Sequence, residues 1–219
     1  MSRGQTTPFR GSRYAVLSGV LPSRTLTALS KANPAVASVA NHGMTNGDVV
    51  RIANVSPTLD GDYAIKYLTD GTFQLLGLDT TGATFALTAT SSAAQGTWLD
   101  ICELTNVQEA GRTISQIDTS TICSEEQESE PGLPAPGTVQ LSFNAAPDVD
   151  SQSMLADYET NGQKFWTRLA LSRGRGFKLY WGYISTGAGL DGAVNGLFTS
   201  GLTIQLSGPK YYVKAAVAA

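Results

Sequence analysis

The spacing of tight-turn signals constrains this 219-residue chain more than any other feature. Between Pro34 and Trp98 stand Asn46-Gly47, Asp60-Gly61, Asp70-Gly71 and Thr81-Gly82, separated by short apolar-rich runs. Asn-Gly and Asp-Gly supply the positive φ angles of tight hairpins, so runs bounded by them read as strands. The runs are Ala35–Val39, Val49–Val55, Tyr63–Leu68, Phe73–Leu78 and Phe85–Ala89. Side chains two apart point to the same side of a strand. Tyr63, Ile65 and Tyr67 therefore share one face, as do Phe73 and Leu75. Residues 27–97 are expected to form a small β-barrel or sandwich of about five strands around a core of its own.

The rest of the chain has a different texture. In Thr138–Asn144, Val139, Leu141 and Phe143 face one way and Gln140 and Ser142 the other. A helix is expected over Ser151–Asn161, with Asp150 or Ser151 capping its first N–H groups and Gly162 closing it in a left-handed conformation. Met154, Leu155 and Tyr158 form its apolar stripe. Three longer strands are expected at Lys164–Leu171, Phe177–Ser185 and Leu197–Ser207. In the last of these, Phe198, Leu202, Ile204 and Leu206 line one face. One apolar and one polar face is the pattern of an antiparallel sheet with a wet side. The chain is expected to be mainly β with one flanking α-helix.

Gln108–Pro136 fits neither texture. Glu125, Glu126, Glu128 and Glu130 crowd into six residues, and Pro131, Pro134 and Pro136 follow. Like charges repel and prolines remove ladder donors, so residues 108–136 read as a long acidic projecting loop.

Charge is unevenly spread. Residues 1–26 carry Arg3, Arg10, Arg13 and Arg24 with no acid, whereas 98–163 carry twelve acids against Arg112 alone. Residues 164–219 carry seven bases against Asp191. Opposed blocks of this kind can pair within one fold or between copies that meet head to tail.

Much chemistry is excluded by composition. A single histidine, His42, removes most catalytic dyads and multi-histidine metal sites, and between Asn41 and Gly43 it reads as a turn residue. Two cysteines cannot build a disulfide scaffold or a structural zinc site. Cys102, in an expected strand, reads as a buried small hydrophobe; Cys123 borders the acidic run and reads as a poor nucleophile. The glutamate run lacks the alternating ligands and central glycine of a calcium loop, so it reads as a solvated connection or a contact between copies. Arg173-Gly174-Arg175-Gly176 reads as a flexible basic hairpin tip that meets an acidic surface, or else as a phosphate contact. No run approaches the ~20 apolar residues that cross a bilayer. Tyr14–Leu21 is followed by Pro22-Ser23-Arg24 without an Ala-x-Ala site, which argues against a signal peptide. No catalytic, cofactor-binding or metal site is expected.

Several segments, in order, resemble the tail tube (major tail) proteins of long-tailed bacteriophages. They are Leu99–Thr105, Ile117–Thr121, the acidic run with Pro131-Gly132-Leu133, and Gly137–Phe143. The helix after Pro147-Asp148, Phe165–Leu169, Trp181–Ile184 and the closing strand before Ser207-Gly208-Pro209 complete the series. The resemblance covers roughly 1–26 and 98–208. It implies a tail-tube β-sandwich or barrel in a discontinuous domain, 1–26 and 98–219. It also implies a virion structural protein, not an enzyme, assembled in the host cytoplasm. Copies would form rings, commonly hexameric, that stack around a lumen conducting DNA without sequence-specific binding. Tail tip or baseplate, tape-measure and tail terminator proteins would be its partners. On this reading Glu125, Glu126, Glu128 and Glu130 are candidates for contact with Arg3, Arg10, Arg173 and Arg175 of another copy.

Residues 27–97 depart from that family and read as an inserted β domain with ends at Arg24-Thr25-Leu26 and Gly96-Thr97-Trp98. Val39–Asp48 and Leu59–Tyr63 resemble a small β module also met as a half-domain of ubiquitin-activating enzymes, though no catalytic residue matches. A module with its own core is expected to be dispensable for the host fold. The alternative function is a monomeric β-sandwich module binding carbohydrate or protein. Such a module would expose clustered aromatics, whereas Trp98, Trp166 and Trp181 all fall in expected strands.

Overall fold

The computed structural model describes residues 6–215. The chain is mainly β with one α-helix, and it divides into two compact units. The first comprises the described parts of 1–102, 165–181 and 210–219; the second comprises 103–164 and 182–209.

In the first unit neighbouring strands run Ala28–Leu29, Ala35–Ser38, Thr72–Leu75, Gly61–Thr69, Val49–Ala53, Ser92–Asp100, Arg13–Val20 and Phe165–Leu171. Next comes the first part of Gly176–Asp191, whose Phe177–Leu179 pairs with Tyr211–Val213. Two apolar clusters hold this unit together. One lies wholly within Leu26–Ala93 and contains Ala35, Ala37, Val50, Ile52, Ile65, Phe73 and Leu75, all buried. Strict alternation explains it, since Ala35 pairs with Leu75 and Ala37 with Phe73. The ends of the expected insertion are neighbours: Arg24 pairs with Ala93 and Val20 with Gly96.

The second cluster joins Val49 and Ala64 to Leu17, Trp166, Leu179 and Val213. Adjacent residues Val49 and Val50, and likewise Ala64 and Ile65, feed opposite clusters, so these strands are buried on both faces. Polar contacts cross the same boundary. The Trp166 indole N–H donates to Asp62 O at 3.2 Å. Arg168 meets Asp48 at 3.3 Å, and the guanidinium lies 4.4 Å from the Trp98 ring centre. Burial pulls the Arg168 pKa down, while Asp48 and Asp100 oppose the shift. Asp48 also accepts from Thr45 N at 2.8 Å and Gln95 Nε2 at 2.9 Å, so its buried charge is well satisfied.

This second cluster weighs against a freely dispensable module. Replacing residues 27–97 with a short Gly/Ser linker strips one side of Trp166 and leaves Arg168 without Asp48. The expected result is a lower denaturation midpoint and red-shifted tryptophan emission, checked by fluorescence during urea unfolding. A smaller test is Asp48→Ala, which strands a largely buried guanidinium and should cost about 3–5 kcal/mol in the same assay.

Two expectations in this unit are corrected. Phe85–Ala89 is not a strand: Thr88 N donates to the Ser91 hydroxyl at 2.9 Å and Ser91 N to Thr88 O at 3.0 Å. That turn closes the run, and Phe85 and Leu87 pack half-buried on the first cluster. Cys102 is exposed, because Ile101 takes the inward position and donates its N–H to Tyr14 O. Asn54, Asn41 and Arg173 hold positive φ at turns. His42 serves such a turn, but from a buried position. Its Nδ1 accepts from Met44 N at 3.0 Å and its Nε2 donates to Thr69 O at 2.8 Å.

In the second unit the order is the later part of Gly176–Asp191, then Thr199–Leu206, Thr138–Asn144 and Leu104–Glu109, all antiparallel. Val139 pairs with Ile204 and Leu141 with Leu202, and all four are buried. Helix Asp150–Asn161 buries Leu155 and ends at Gly162 with φ 61°. Its N-cap is Val149, without a side-chain cap, so neither Asp150 nor Ser151 caps it. Gln152 ties the start down instead, accepting from Ala146 N and donating to Asn144 O, both at 2.9 Å. Phe198, expected on the apolar face of a strand, lies just before the observed strand Thr199–Leu206 and is exposed.

Candidate assembly surfaces

The acidic segment is not a structureless loop. Thr113–Asp118 and Ser129–Ala135 pair as a separate two-stranded antiparallel ribbon, with Gln116 opposite Pro131 and Ile114 opposite Pro134. Proline is tolerated in such a ribbon because only alternate N–H groups point at the partner strand. At the tip Asp118 accepts from Ser120 N at 2.9 Å, and its carboxyl is held below the usual range first by the Ser120 hydroxyl and then by that N–H. Thr119 N donates to Glu128 O at 3.0 Å and Glu128 N to the Ser120 hydroxyl at 2.9 Å. Glu128 and Glu130 thus belong to a defined backbone, while Glu125 and Glu126 sit in its turn. All four are exposed.

Four large apolar side chains on this ribbon were hidden by its acidic and proline-rich composition. Ile114, Ile117, Ile122 and Leu133 are exposed by 57%, 55%, 105% and 87%. A lone two-stranded ribbon is marginal in water, and one with four such side chains in solvent has the character of a contact surface.

The basic candidates lie in the first unit, apart from Arg3, which is outside the described residues. Arg10 sits in the turn Phe9–Ser12, and Arg173 and Arg175 in the turn between Phe165–Leu171 and Gly176–Asp191. Ser172 joins the two turns: its hydroxyl donates to Pro8 O at 2.6 Å, and its N–H donates to the Ser12 hydroxyl at 3.1 Å. Arg10 and Arg173 are exposed, and Arg175 is half-buried. Among the described residues none of these arginines, and none of the four glutamates, forms an ion pair within the chain. The two sets of charge are available to another molecule.

A third surface is the solvent face of the second unit's sheet. Across the strands it reads Gln108, Gln140, Thr203 and Thr186 in one row, and Asn106, Ser142, Gly201 and Gly189 in the next. Thr138, Gln205 and Tyr183 make a third row. Amides, hydroxyls and glycines cover these rows without a carboxylate or ammonium. Leu104–Glu109 ends the strand order on this side. No group of three His, Cys, Asp or Glu side chains among the described residues could hold a metal, and no described helix is long and apolar enough to cross a membrane.

Residues 79–178 match the family described as phage tail tube, TTP, lambda-like. The solved tail tube of SPP1 is 13% identical, covering 64% of this chain and 74% of that one at a TM-score of 0.39. No curated protein matches. Over residues 79–178, a little under half of its length, the chain is therefore similar to the phage tail tube proteins of the lambda-like family.

Proposed function

We propose that this chain assembles with copies of itself into rings, hexameric as in the family it resembles. These stack into the tube of a virion tail that conducts DNA. The exposed ribbon Thr113–Ala135 carries this reading: it presents four apolar side chains and four unpaired glutamates that a neighbouring ring can cover. Arg10, Arg173 and Arg175 of that neighbour supply the opposite charge, and Arg3 adds to it. Exposed ion pairs are each worth only about 0–1 kcal/mol, so stacking depends on their repetition around a ring.

The uncharged sheet face suits the lumen. A cationic wall would bind phosphates and release counterions, holding the DNA, whereas amides and hydroxyls hydrate without that attraction. Residues 27–97 form the inserted domain and decorate the outside, where they do not obstruct passage. Assembly takes place in the host cytoplasm, and tail tip, tape-measure and terminator proteins bound the tube. The alternative carbohydrate- or protein-binding module is disfavoured because Trp166 is buried and Trp98 and Trp181 half-buried.

Raising ionic strength tests the stacking. The Debye length falls from ~10 Å at 0.1 M salt to ~3 Å at 1 M, so tubes are expected to shorten or dissociate, as followed by light scattering. Tubes indifferent to salt would remove the charge pairing from this account.

A further inference from the structure

The second unit has two neighbouring apolar features, and the exposed side chains of the one do not line the other. One is a groove of about 380 Å³ beside helix Asp150–Asn161, walled mainly by Phe143, Ala145, Pro147, Leu155, Ala156 and Leu190. The other is the tip of the hairpin linking Gly176–Asp191 to Thr199–Leu206. There Val194, Leu197 and Phe198 are exposed by 103%, 71% and 61%, and none of them lines the groove.

The tip has a defined shape. Gly196 N donates to Ala193 O at 2.9 Å, and Phe198 O accepts from Ala145 N at 2.8 Å. The Phe198 ring lies across Gly192, where a Cβ would come within 2.5 Å of it. Residues 192–198 carry no charge, and no wall of the groove is ionisable. Single apolar side chains on a surface are ordinary, but three on one hairpin end mark a contact. A knob and a hole of matching polarity on different patches of one chain make a heterologous contact, and repetition of such a contact closes a ring when the rotation allows.

We propose that the Val194–Phe198 tip of each copy seats in the Leu155–Ala156 groove of the next copy. This rests on the self-assembly reading above and adds the surface by which neighbours join. Both partners belong to the same chain, so no second protein is required.

The test uses the full chain with Cys102→Ser and Cys123→Ser, adding Leu197→Cys and Ala156→Cys together or singly, and a short bis-maleimide. The double variant is expected to give a ladder of covalent multimers, while each single variant stays largely monomeric. Val194→Asp with Leu197→Asp, at exposed positions, should leave the near-ultraviolet circular dichroism intact and raise the assembly threshold about tenfold or more. Ala156→Arg, which fills the groove from an exposed helix position, should do the same. Rings or tubes that form normally in these variants, or that cross-link no better in the double variant than in the singles, overturn the tip–groove contact while leaving self-assembly standing. A parent protein that never leaves the monomeric state overturns both.

Discussion

Trp166→Ala is expected to destabilise the first unit by about 3–5 kcal/mol, the usual cost of emptying a buried aromatic site. Trp166 is 5% exposed and packs with Leu17, Val49, Ala64, Leu179 and Val213. Its ring centre lies 5.3 Å from that of Trp181 and 6.2 Å from that of Tyr211. The substitution also leaves Asp62 O without its indole donor. In a chain of this size the loss corresponds to a melting temperature roughly 10 °C lower, readable by calorimetry. Trp166→Phe keeps most of the packing and should lose much less. A Trp166→Ala protein as stable as the parent would show that residues 27–97 and the strands beyond them are held together by something other than this cluster.

The second large effect separates assembly from folding. Glu125, Glu126, Glu128 and Glu130 changed together to Gln should impair ring stacking while leaving the subunit's melting temperature nearly unchanged. All four are exposed and none is ion-paired within the described chain, so the subunit loses no internal contact. On the proposed reading, what the substitution removes is the attraction to a neighbour's arginines, together with the repulsion among the four glutamates themselves. Sedimentation at low salt reads the first effect and calorimetry the second. Normal stacking by the variant would reduce the ribbon's acids to a solvated surface and leave Ile114, Ile117, Ile122 and Leu133 to make the contact.

The parts of this fold that were legible in the sequence are those where one physical signal acts alone. Thr138–Asn144 alternates without interruption, and the structure buries Val139, Leu141 and Phe143 while exposing Gln140 and Ser142. Gly162 closes the helix because a left-handed residue was needed and glycine adopts it without strain. Illegible parts are those where signals compete or where distance in sequence hides proximity in space. Pro131, Pro134 and four glutamates argue against a strand, yet a ribbon with one partner needs only half its donors. At Phe85–Ala89 the apolar pattern yields to the Ser91 hydroxyl. Two pairs of adjacent buried residues, Val49-Val50 and Ala64-Ile65, were the available sign that the module packs on both faces; period-two reading assigns each strand a single stripe. The convergence of Arg10 with the Arg173–Arg175 turn depends on Ser172 bonding back to Pro8 and Ser12, which no local pattern announces. The exposed Val194, Leu197 and Phe198 read as strand and loop in sequence, because apolar character alone does not say which side meets water.

Whether the chain builds a tube is decided by electron microscopy of the concentrated, purified protein in low salt, without nucleic acid. Rings and stacked tubes are expected, with residues 27–97 as density on the outer surface and the Gln140–Thr203 face toward the lumen. A particle that stays monomeric at every concentration, with no tube containing this chain in intact virions, would contradict tube formation.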